Sequence, residues 1–215
     1  MLNALRSTCS VPRTGRRGTF AGLLVLAFAA GALPTAQLVV RRALPEQRVA
    51  FRQANPGSAT VRRVMGPRPA LVVLVLEVAK AALPVLLGRF LGLSRDRRAA
   101  LAFTPILGNQ LIVRGKGAAA ALGGSLALDP KTMFILAPGI IAGWVAGLHA
   151  PSMAGFYVAY PMVKRLLGRS RGEVGWSVLT VFALFVARAL GHGRSSATLS
   201  PRVLGVRLLL DRDPG

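Results

Sequence analysis

The chain is poor in cysteine, acidic and aromatic residues, and each shortage narrows the class of protein. Its single cysteine, Cys9, permits no internal disulfide and matches no metal-ligand spacing. Only 7 of 215 residues are acidic against 28 lysines and arginines, which gives a formal net charge of +21. Aromatic residues make up 6% of the chain and are not interleaved with the basic residues, so no nucleic-acid partner is expected. Anionic lipid headgroups are the expected counter-charge.

The chain is rich in apolar residues, which make up 53% of it and give a mean hydropathy of +0.51. A length of 215 residues leaves room for several membrane crossings but not for an ordinary soluble domain beside them. The apolar segments are 19–40, 70–93, 99–113, 117–128, 132–148, 151–168 and 174–190. We therefore predict an all-α membrane protein, a polytopic bundle of about seven transmembrane or partly spanning helices within 19–192, with basic tails at 1–18 and 193–215.

Several features of this arrangement stay open at the level of sequence. The run that ends at Val40 is about 22 residues long, which favours a first spanning helix over a signal peptide cleaved within 32–36. The arginine-rich loop 41–68 indicates a cytoplasmic location, but other loops carry nearly as many basic residues, so six helices are an alternative to seven. Segments 99–113 and 117–128 are short, and we expect tilted or half-crossing helices there. The sequence does not indicate an oligomeric state.

Two charges lie inside the apolar segment 70–93, where Lys80 follows Glu77 by three residues. Residues three apart share a helix face, so the two side chains can pair. An ionised group in hydrocarbon costs about 2.5–3.5 kcal/mol, so such a pair faces protein or a wet cavity and marks a candidate site. One interpretation is that Lys80 binds a phosphate and Glu77 orients it. The other is a buried ion pair that holds two helices in register.

Residues 53–63 combine amide, hydroxyl and guanidinium groups that are suited to an anion. Asn55, Gly57, Ser58 and Arg63 supply donors of the kind that a phosphate accepts. The same composition is also typical of a solvated turn whose arginines anchor it at the membrane surface.

A second anion-binding pattern is the run Arg114-Gly115-Lys116-Gly117 ahead of an alanine-rich segment. Such a run places backbone amides and a lysine at the positive N-terminus of a helix. The glycine spacing of a P-loop and the Ser or Thr that follows it are absent, so nucleotide hydrolysis is not predicted.

Taken together, these stretches resemble the bacterial acyl-phosphate glycerol-3-phosphate acyltransferase family. In that family a Gly-Ser-x-Pro element ends the first helix, and a Gly-Ser-Gly-Asn-x-Gly-Ala-Thr-Asn-x-x-Arg loop and a helix bearing Asp-x-x-Lys-Gly follow. The matching residues here are Gly31-Ala32-Leu33-Pro34, then 55–63, then Glu77 and Lys80. The family's second motif, Gly-His with Gly-Gly-Lys-Gly, is matched by Gly108-Asn109 and Gly115-Lys116-Gly117, and its third by His149, Ser152 and Gly155.

The chain departs from the family pattern at several motif positions. Asn109 stands where the family has histidine, and Glu77 where it has aspartate. Ala32 and Gln53 replace serines, and Ala54 replaces a glycine. An imidazole accepts a proton near neutral pH and an amide does not, so any role of that histidine as a base is lost.

The resemblance implies transfer of an acyl group from acyl phosphate to the sn-1 hydroxyl of glycerol 3-phosphate. The product is lysophosphatidic acid, made for phospholipid biosynthesis at the cytoplasmic face of the bacterial plasma membrane, with no cofactor and no metal. The implied phosphate-binding residues are Asn55, Gly57, Arg63, Lys80, Gly115, Lys116 and Gly117. The implied catalytic residues are Asn109, Ser58 and Lys80, with Glu77, His149 and Ser152 in support.

One alternative is a catalytically degenerate protein that keeps the fold and a pocket for anionic headgroups. A small transporter is disfavoured, because no internal repeat is visible in the sequence.

Overall fold

A computed structural model describes residues 13–43, 57–146 and 148–190, and every regular element in this part of the chain is helical. The α-helices are α1 (Arg13–Ala32), α2 (Thr35–Ala43), α3 (Ser58–Met65), α4 (Pro67–Phe90), α5 (Arg95–Gly108), α6 (Ala118–Leu128), α7 (Pro130–Val145), α8 (His149–Leu166) and α9 (Arg171–Leu190). A π-helical turn, Asn109–Val113, continues α5. The predicted all-α membrane fold is confirmed, and each of the seven apolar segments coincides with helix.

Among the described residues, three stretches are long and apolar enough to cross a membrane, namely Gly18–Ala43, Pro67–Phe90 and Arg171–Leu190. At 11 residues, α6 rises only about 16 Å, roughly half of a 30 Å hydrocarbon core. The length of α6 agrees with the half-crossing helix expected at 117–128, whereas α5 and its π-helical turn continue from Arg95 to Val113 and are longer than the apolar segment 99–113 indicated.

Two local features differ from the segments read in the sequence. The first apolar segment is divided at Leu33 and Pro34, where α1 ends and α2 begins. Pro34 has no amide hydrogen, so it cannot continue the hydrogen bonding of α1. The second feature is α3, a short helix that buries Val61 and exposes Arg62 and Arg63. Its eight residues are too few and too polar to register as an apolar segment.

Glycines let the central helices approach each other backbone to backbone. A Cβ atom on Gly31 of α1 would collide with the backbone of Pro105 in α5, and one on Gly123 of α6 with the backbone of Val78 in α4. Small residues at such crossings are the usual packing device of membrane helices. This close packing brings the carboxyl end of α1, the middle of α4 and the carboxyl end of α5 together.

The opposite end of the bundle, where α5, α7 and α9 begin, is held by buried charges. Arg169 donates to both oxygens of Asp129, at 2.6 and 2.9 Å, and Thr132 donates to the same carboxylate at 2.7 Å. The pair joins the α6–α7 turn to the α8–α9 turn. Burial acts to raise the pKa of Asp129, but the hydrogen bonds from Thr132 and Arg169 and the charges of Arg169 and Lys164 outweigh it and lower that pKa.

A fully buried lysine lies near this ion pair and was not singled out in the sequence. The Lys164 ammonium donates to the Ser177 hydroxyl at 3.1 Å and lies 4.8 Å from the centre of the Tyr160 ring. The contact fixes α8 against α9, since the two residues belong to these helices.

Candidate active site

The candidate site begins at the break between α1 and α2. The Leu33 carbonyl there accepts from the Thr35 amide at 2.9 Å and lies outside the regular ladder of α1. The Thr35 hydroxyl follows immediately, at the first position of α2. A carbonyl and a hydroxyl are thus presented to α4 at the depth of its middle turns.

The side-chain ammonium of Lys80, in α4, lies at this break between α1 and α2. It donates to the Leu33 carbonyl at 2.7 Å, to Glu77 Oε1 at 2.8 Å and to the Thr35 hydroxyl at 3.3 Å. An ammonium has three donors, and all three are engaged. The side chains of Lys80 and Glu77 are only 10% and 9% exposed. The pair predicted from the sequence is therefore present, and it connects α4 to the α1–α2 junction.

Glu77 also reaches the end of α5. Its second oxygen accepts from the Asn109 side-chain amide at 3.5 Å, and Asn109 is 5% exposed. One carboxylate thus links Lys80 to Asn109, which lie 29 positions apart in the sequence. Asn109 begins the π-helical turn, and such turns recur at functional sites.

The turn after the π-helix packs directly on Asn109. Arg114 adopts a left-handed conformation with φ of 60°, and the Gly115 amide donates to the Asn109 carbonyl at 3.0 Å. A Cβ atom on Gly115 would collide with the Asn109 side chain, so only glycine fits there. The Gly115 amide was expected to be free for a phosphate, but in this structure it is engaged. Gly117, with φ of 75°, reverses the chain into α6.

Gln110 ties this turn to α9. Its side-chain amide donates to the Lys116 carbonyl and to the Ala183 carbonyl, both at 3.3 Å. The Tyr157 hydroxyl of α8 donates to the Ala118 carbonyl at 3.0 Å, one residue beyond Gly117. The half-buried Lys116 therefore stands on a turn that is fixed from two sides.

The remaining predicted residues fall in three places. Gly57 and Ser58 begin α3 and Arg63 is exposed near its end. The buried side of α3 shares a cluster with Val73, one helical turn ahead of Glu77. Ser152 lies against Gly143 at the contact of α8 with α7. Asn55, Gln53 and Ala54 lie outside the described residues, as do both chain ends, and the His149 side chain is likewise not described.

The structure therefore brings together Glu77, Lys80 and Asn109 with the Gly115 turn, and it adds groups that sequence reasoning missed. Thr35 and Gln110 were not singled out. The signals for them were weak: Thr35 follows a proline in an apolar segment, and Gln110 is a polar neighbour of Asn109.

Comparison with known proteins identifies the family. The family model described as glycerol-3-phosphate acyltransferase matches residues 21–199. Glycerol-3-phosphate acyltransferase 1 of Deinococcus radiodurans is 34% identical over 65% of this chain and 74% of its own length. Glycerol-3-phosphate acyltransferase of Pseudomonas paraeruginosa is 32% identical over 77% of this chain and 89% of its own length.

The fold agrees with a solved structure. The glycerol 3-phosphate form of PlsY, an integral membrane glycerol 3-phosphate acyltransferase, superposes with a TM-score of 0.68 at 17% identity, over 79% of this chain and 88% of that one. The chain thus belongs to the glycerol-3-phosphate acyltransferase family, a class of membrane enzymes. The family resemblance drawn from the motifs is confirmed.

Proposed function

We propose that the protein transfers an acyl group from acyl phosphate to the sn-1 hydroxyl of glycerol 3-phosphate. The hydroxyl oxygen attacks the acyl carbonyl carbon, an ester bond forms, and the bond from that carbon to the phosphate oxygen breaks. The products are lysophosphatidic acid and inorganic phosphate. Both substrates carry phosphate, so the protein has to supply mainly positive charge and fixed position.

The observation that carries this proposal is the buried Lys80, held in one geometry by Leu33, Thr35 and Glu77. A preorganised cation in a site of low dielectric stabilises developing negative charge without reorganisation at the moment of reaction. The contact with the Thr35 hydroxyl, at 3.3 Å, is the longest of the three. We infer that a substrate phosphate oxygen replaces this hydroxyl while Glu77 and the Leu33 carbonyl keep the ammonium in place.

Lys116 and the N-terminus of α6 supply a second positive region. The turn that carries Lys116 packs on Asn109, Asn109 is bonded to Glu77, and Glu77 is bonded to Lys80, so two residues connect this turn to Lys80. The positive end of the α6 dipole adds to its charge. We assign Arg63, Gly57, Ser58 and Asn55 to the second phosphate, because α3 packs one turn ahead of Glu77.

Asn109 replaces the family's histidine, so the proton of the attacking hydroxyl needs another acceptor. An acyl phosphate is already an activated donor, and its phosphate oxygens accept a proton as the acyl bond breaks. In this scheme Asn109 orients Glu77 through its side-chain amide and takes no proton itself.

The second candidate function is a binding protein that keeps the phosphate pocket and has lost turnover. The specific observation in its favour is the buried amide at position 109. We place the site toward the cytoplasm in a bacterial plasma membrane, with the exposed Arg62, Arg63 and Arg68 on that side. The loops 89–98 and 164–171, which carry nearly as many basic residues, then face outward.

The test is to give the purified protein acyl phosphate and labelled glycerol 3-phosphate. Labelled lysophosphatidic acid with equimolar phosphate release supports the proposed reaction. Binding of both substrates without product supports the second candidate. Replacing acyl phosphate with an acyl thioester of the same chain tests the donor, and equal rates with both donors would contradict the assignment of acyl phosphate.

A further inference from the structure

A second cluster of arginines lies where α4 ends and α5 begins, away from the candidate active site. Arg89 is the next-to-last residue of α4, and Arg95 and Arg98 lie in the first turns of α5. Arg89 is nine residues beyond Lys80, about 14 Å along the helix. We call these three arginines the α4–α5 corner.

Arg98 lies near both other arginines of the corner. The side-chain stem of Arg98 lies over Gly88, where a Cβ atom would stand 3.4 Å from its Cγ. Arg95 and Arg98 are three residues apart and share a helix face. Arg89 and Arg95 both repel the half-buried Arg98 electrostatically.

The corner has more positive charge than the neighbouring carboxylates neutralise. Arg95 faces the buried Glu173 at 3.5 Å. Within the described residues, the guanidinium groups of Arg89 and Arg98 form no hydrogen bond or ion pair, although the Glu173 charge also attracts Arg98. The other nearby carboxylate, that of Asp96, lies against Gly172 at the start of α9. The chain has 7 acidic residues against 28 basic ones, so most of its cations need counter-charges from outside the chain.

An exposed apolar stripe on α4 runs directly up to this corner. Leu83, Leu86 and Phe90 are 54%, 47% and 87% exposed and repeat at helical spacing along one face. Phe90 adjoins Arg89 in sequence. Cations at the end of an apolar, exposed helix face match the two halves of a phospholipid.

We propose that the α4–α5 corner binds the phosphate group of an anionic phospholipid, whose acyl chains lie along the Leu83, Leu86 and Phe90 stripe. The guanidinium groups of Arg89 and Arg98 donate to the phosphate oxygens, and Arg95 adds charge while it remains with Glu173. A zwitterionic phospholipid is disfavoured because its cationic headgroup is repelled by the same arginines.

Native mass spectrometry of the purified protein with phosphatidylglycerol and phosphatidylcholine of identical chains tests this site. A direct hydrogen bond to the phosphate contributes about fivefold, so Arg89→Gln with Arg98→Gln weakens phosphatidylglycerol binding about 30-fold. The matched control is Arg165→Gln with Arg171→Gln, which removes two exposed arginines at the same end of the bundle. This control pair is expected to change phosphatidylglycerol binding less than about twofold. An equal loss in both pairs would show diffuse surface charge and overturn the proposal.

A second variant keeps the arginines and removes the apolar contact. Leu86→Ala with Phe90→Ala weakens phosphatidylglycerol binding and leaves the binding of inorganic phosphate unchanged. Both changes are at exposed positions, so neither removes a core side chain. If inorganic phosphate binds the unchanged protein as tightly as phosphatidylglycerol does, the acyl chains contribute nothing and the lipid assignment is wrong. Equally tight binding of phosphatidylcholine and phosphatidylglycerol would also refute the proposed site.

Discussion

Lys80 donates a 2.7 Å hydrogen bond to the carbonyl of Leu33, a residue 47 positions earlier in the chain. The bond sets a charged side chain from the middle of α4 into the break between α1 and α2. A charge at this depth is costly unless it is partnered, and the broken helix supplies the partner. The proline that interrupts α1 is therefore part of how the candidate site is built.

Replacing Lys80 by Met removes the central cation. If the ammonium binds substrate phosphate, kcat/KM falls about 100-fold, since a hydrogen bond to a charged group contributes up to about 3 kcal/mol. The single variant also leaves Glu77 buried without its partner, which lowers stability. The double variant Glu77→Gln with Lys80→Met removes both charges, and we expect it to be more stable than the single variant and equally inactive. Unchanged turnover in either variant would refute the role of Lys80.

Thr35→Val tests the hydroxyl that holds the third donor of Lys80. Valine has the same shape without the hydroxyl. The Lys80 ammonium then keeps only the Leu33 carbonyl and Glu77 as acceptors. Because a substrate phosphate oxygen is proposed to replace this hydroxyl, the variant lacks a hydrogen bond that substrate binding otherwise has to break. We therefore expect kcat/KM to rise by up to about fivefold, in line with a net hydrogen bond of about 1 kcal/mol. Thr104→Val is the matched control, because the Thr104 hydroxyl bonds only the Ala100 carbonyl of its own helix. A loss of kcat/KM in Thr35→Val would contradict the proposed displacement of the hydroxyl, and a similar change in both variants would argue against a specific role for Thr35.

The fold was largely predictable from the sequence because hydropathy sets it. Every apolar segment lies in helix, and Glu77 and Lys80 form the ion pair that their spacing predicts. The hydropathy pattern did not predict the division of the first segment, although the family element matched by Gly31-Ala32-Leu33-Pro34 implies that the first helix ends there. The apolar pattern continues across it, and a proline within a membrane helix need not end the helix.

The site was only partly predictable, for physical reasons that its contacts show. The bond from Asn109 to Glu77 depends on how close α5 lies to α4. That distance follows from glycines meeting other backbones across helices, which no local pattern encodes. Likewise, the Gly115 amide looked free in the sequence, and it is taken by the Asn109 carbonyl because the π-helical turn brings the two together.

Gly115→Ala tests the packing of the turn on Asn109. The added methyl group would overlap the Asn109 side chain, so either the turn or the amide moves and the bond to Glu77 is lost. We expect at least a tenfold loss of activity and a destabilisation of about 1–3 kcal/mol from overpacking. Gly175→Ala is the control, since nothing lies within 4 Å of a Cβ there and alanine favours the helix. Normal activity in Gly115→Ala would show that activity does not depend on the position of the Asn109 side chain.

Asn109→His restores the residue that the family carries. If only the base is missing, the rate rises about 100-fold, the lower range for general base catalysis. The imidazole accepts a proton only when neutral, so the gain grows as pH rises through a value above about 6.5, with the nearby Glu77 charge raising the pKa. Asn109→Gln keeps an amide and brings no gain. A pH–rate profile of the histidine variant identical to that of the unchanged protein would count against matching Asn109 to the family's histidine.

Asp129→Asn tests the ion pair at the far end of the bundle. The pKa of Asp129 is lowered in the folded state, so its contribution to stability is present above the unfolded value of about 4 and is lost as pH falls through the folded value. At pH 7 the variant leaves Arg169 without its carboxylate, which costs about 3 kcal/mol. Thermal unfolding in detergent from pH 7 to pH 3 should therefore show a smaller decline for the variant than for the unchanged protein. The exposed Asp96→Asn serves as the control and should retain the full decline, whereas parallel curves for all three proteins would mean that the pair contributes no stability.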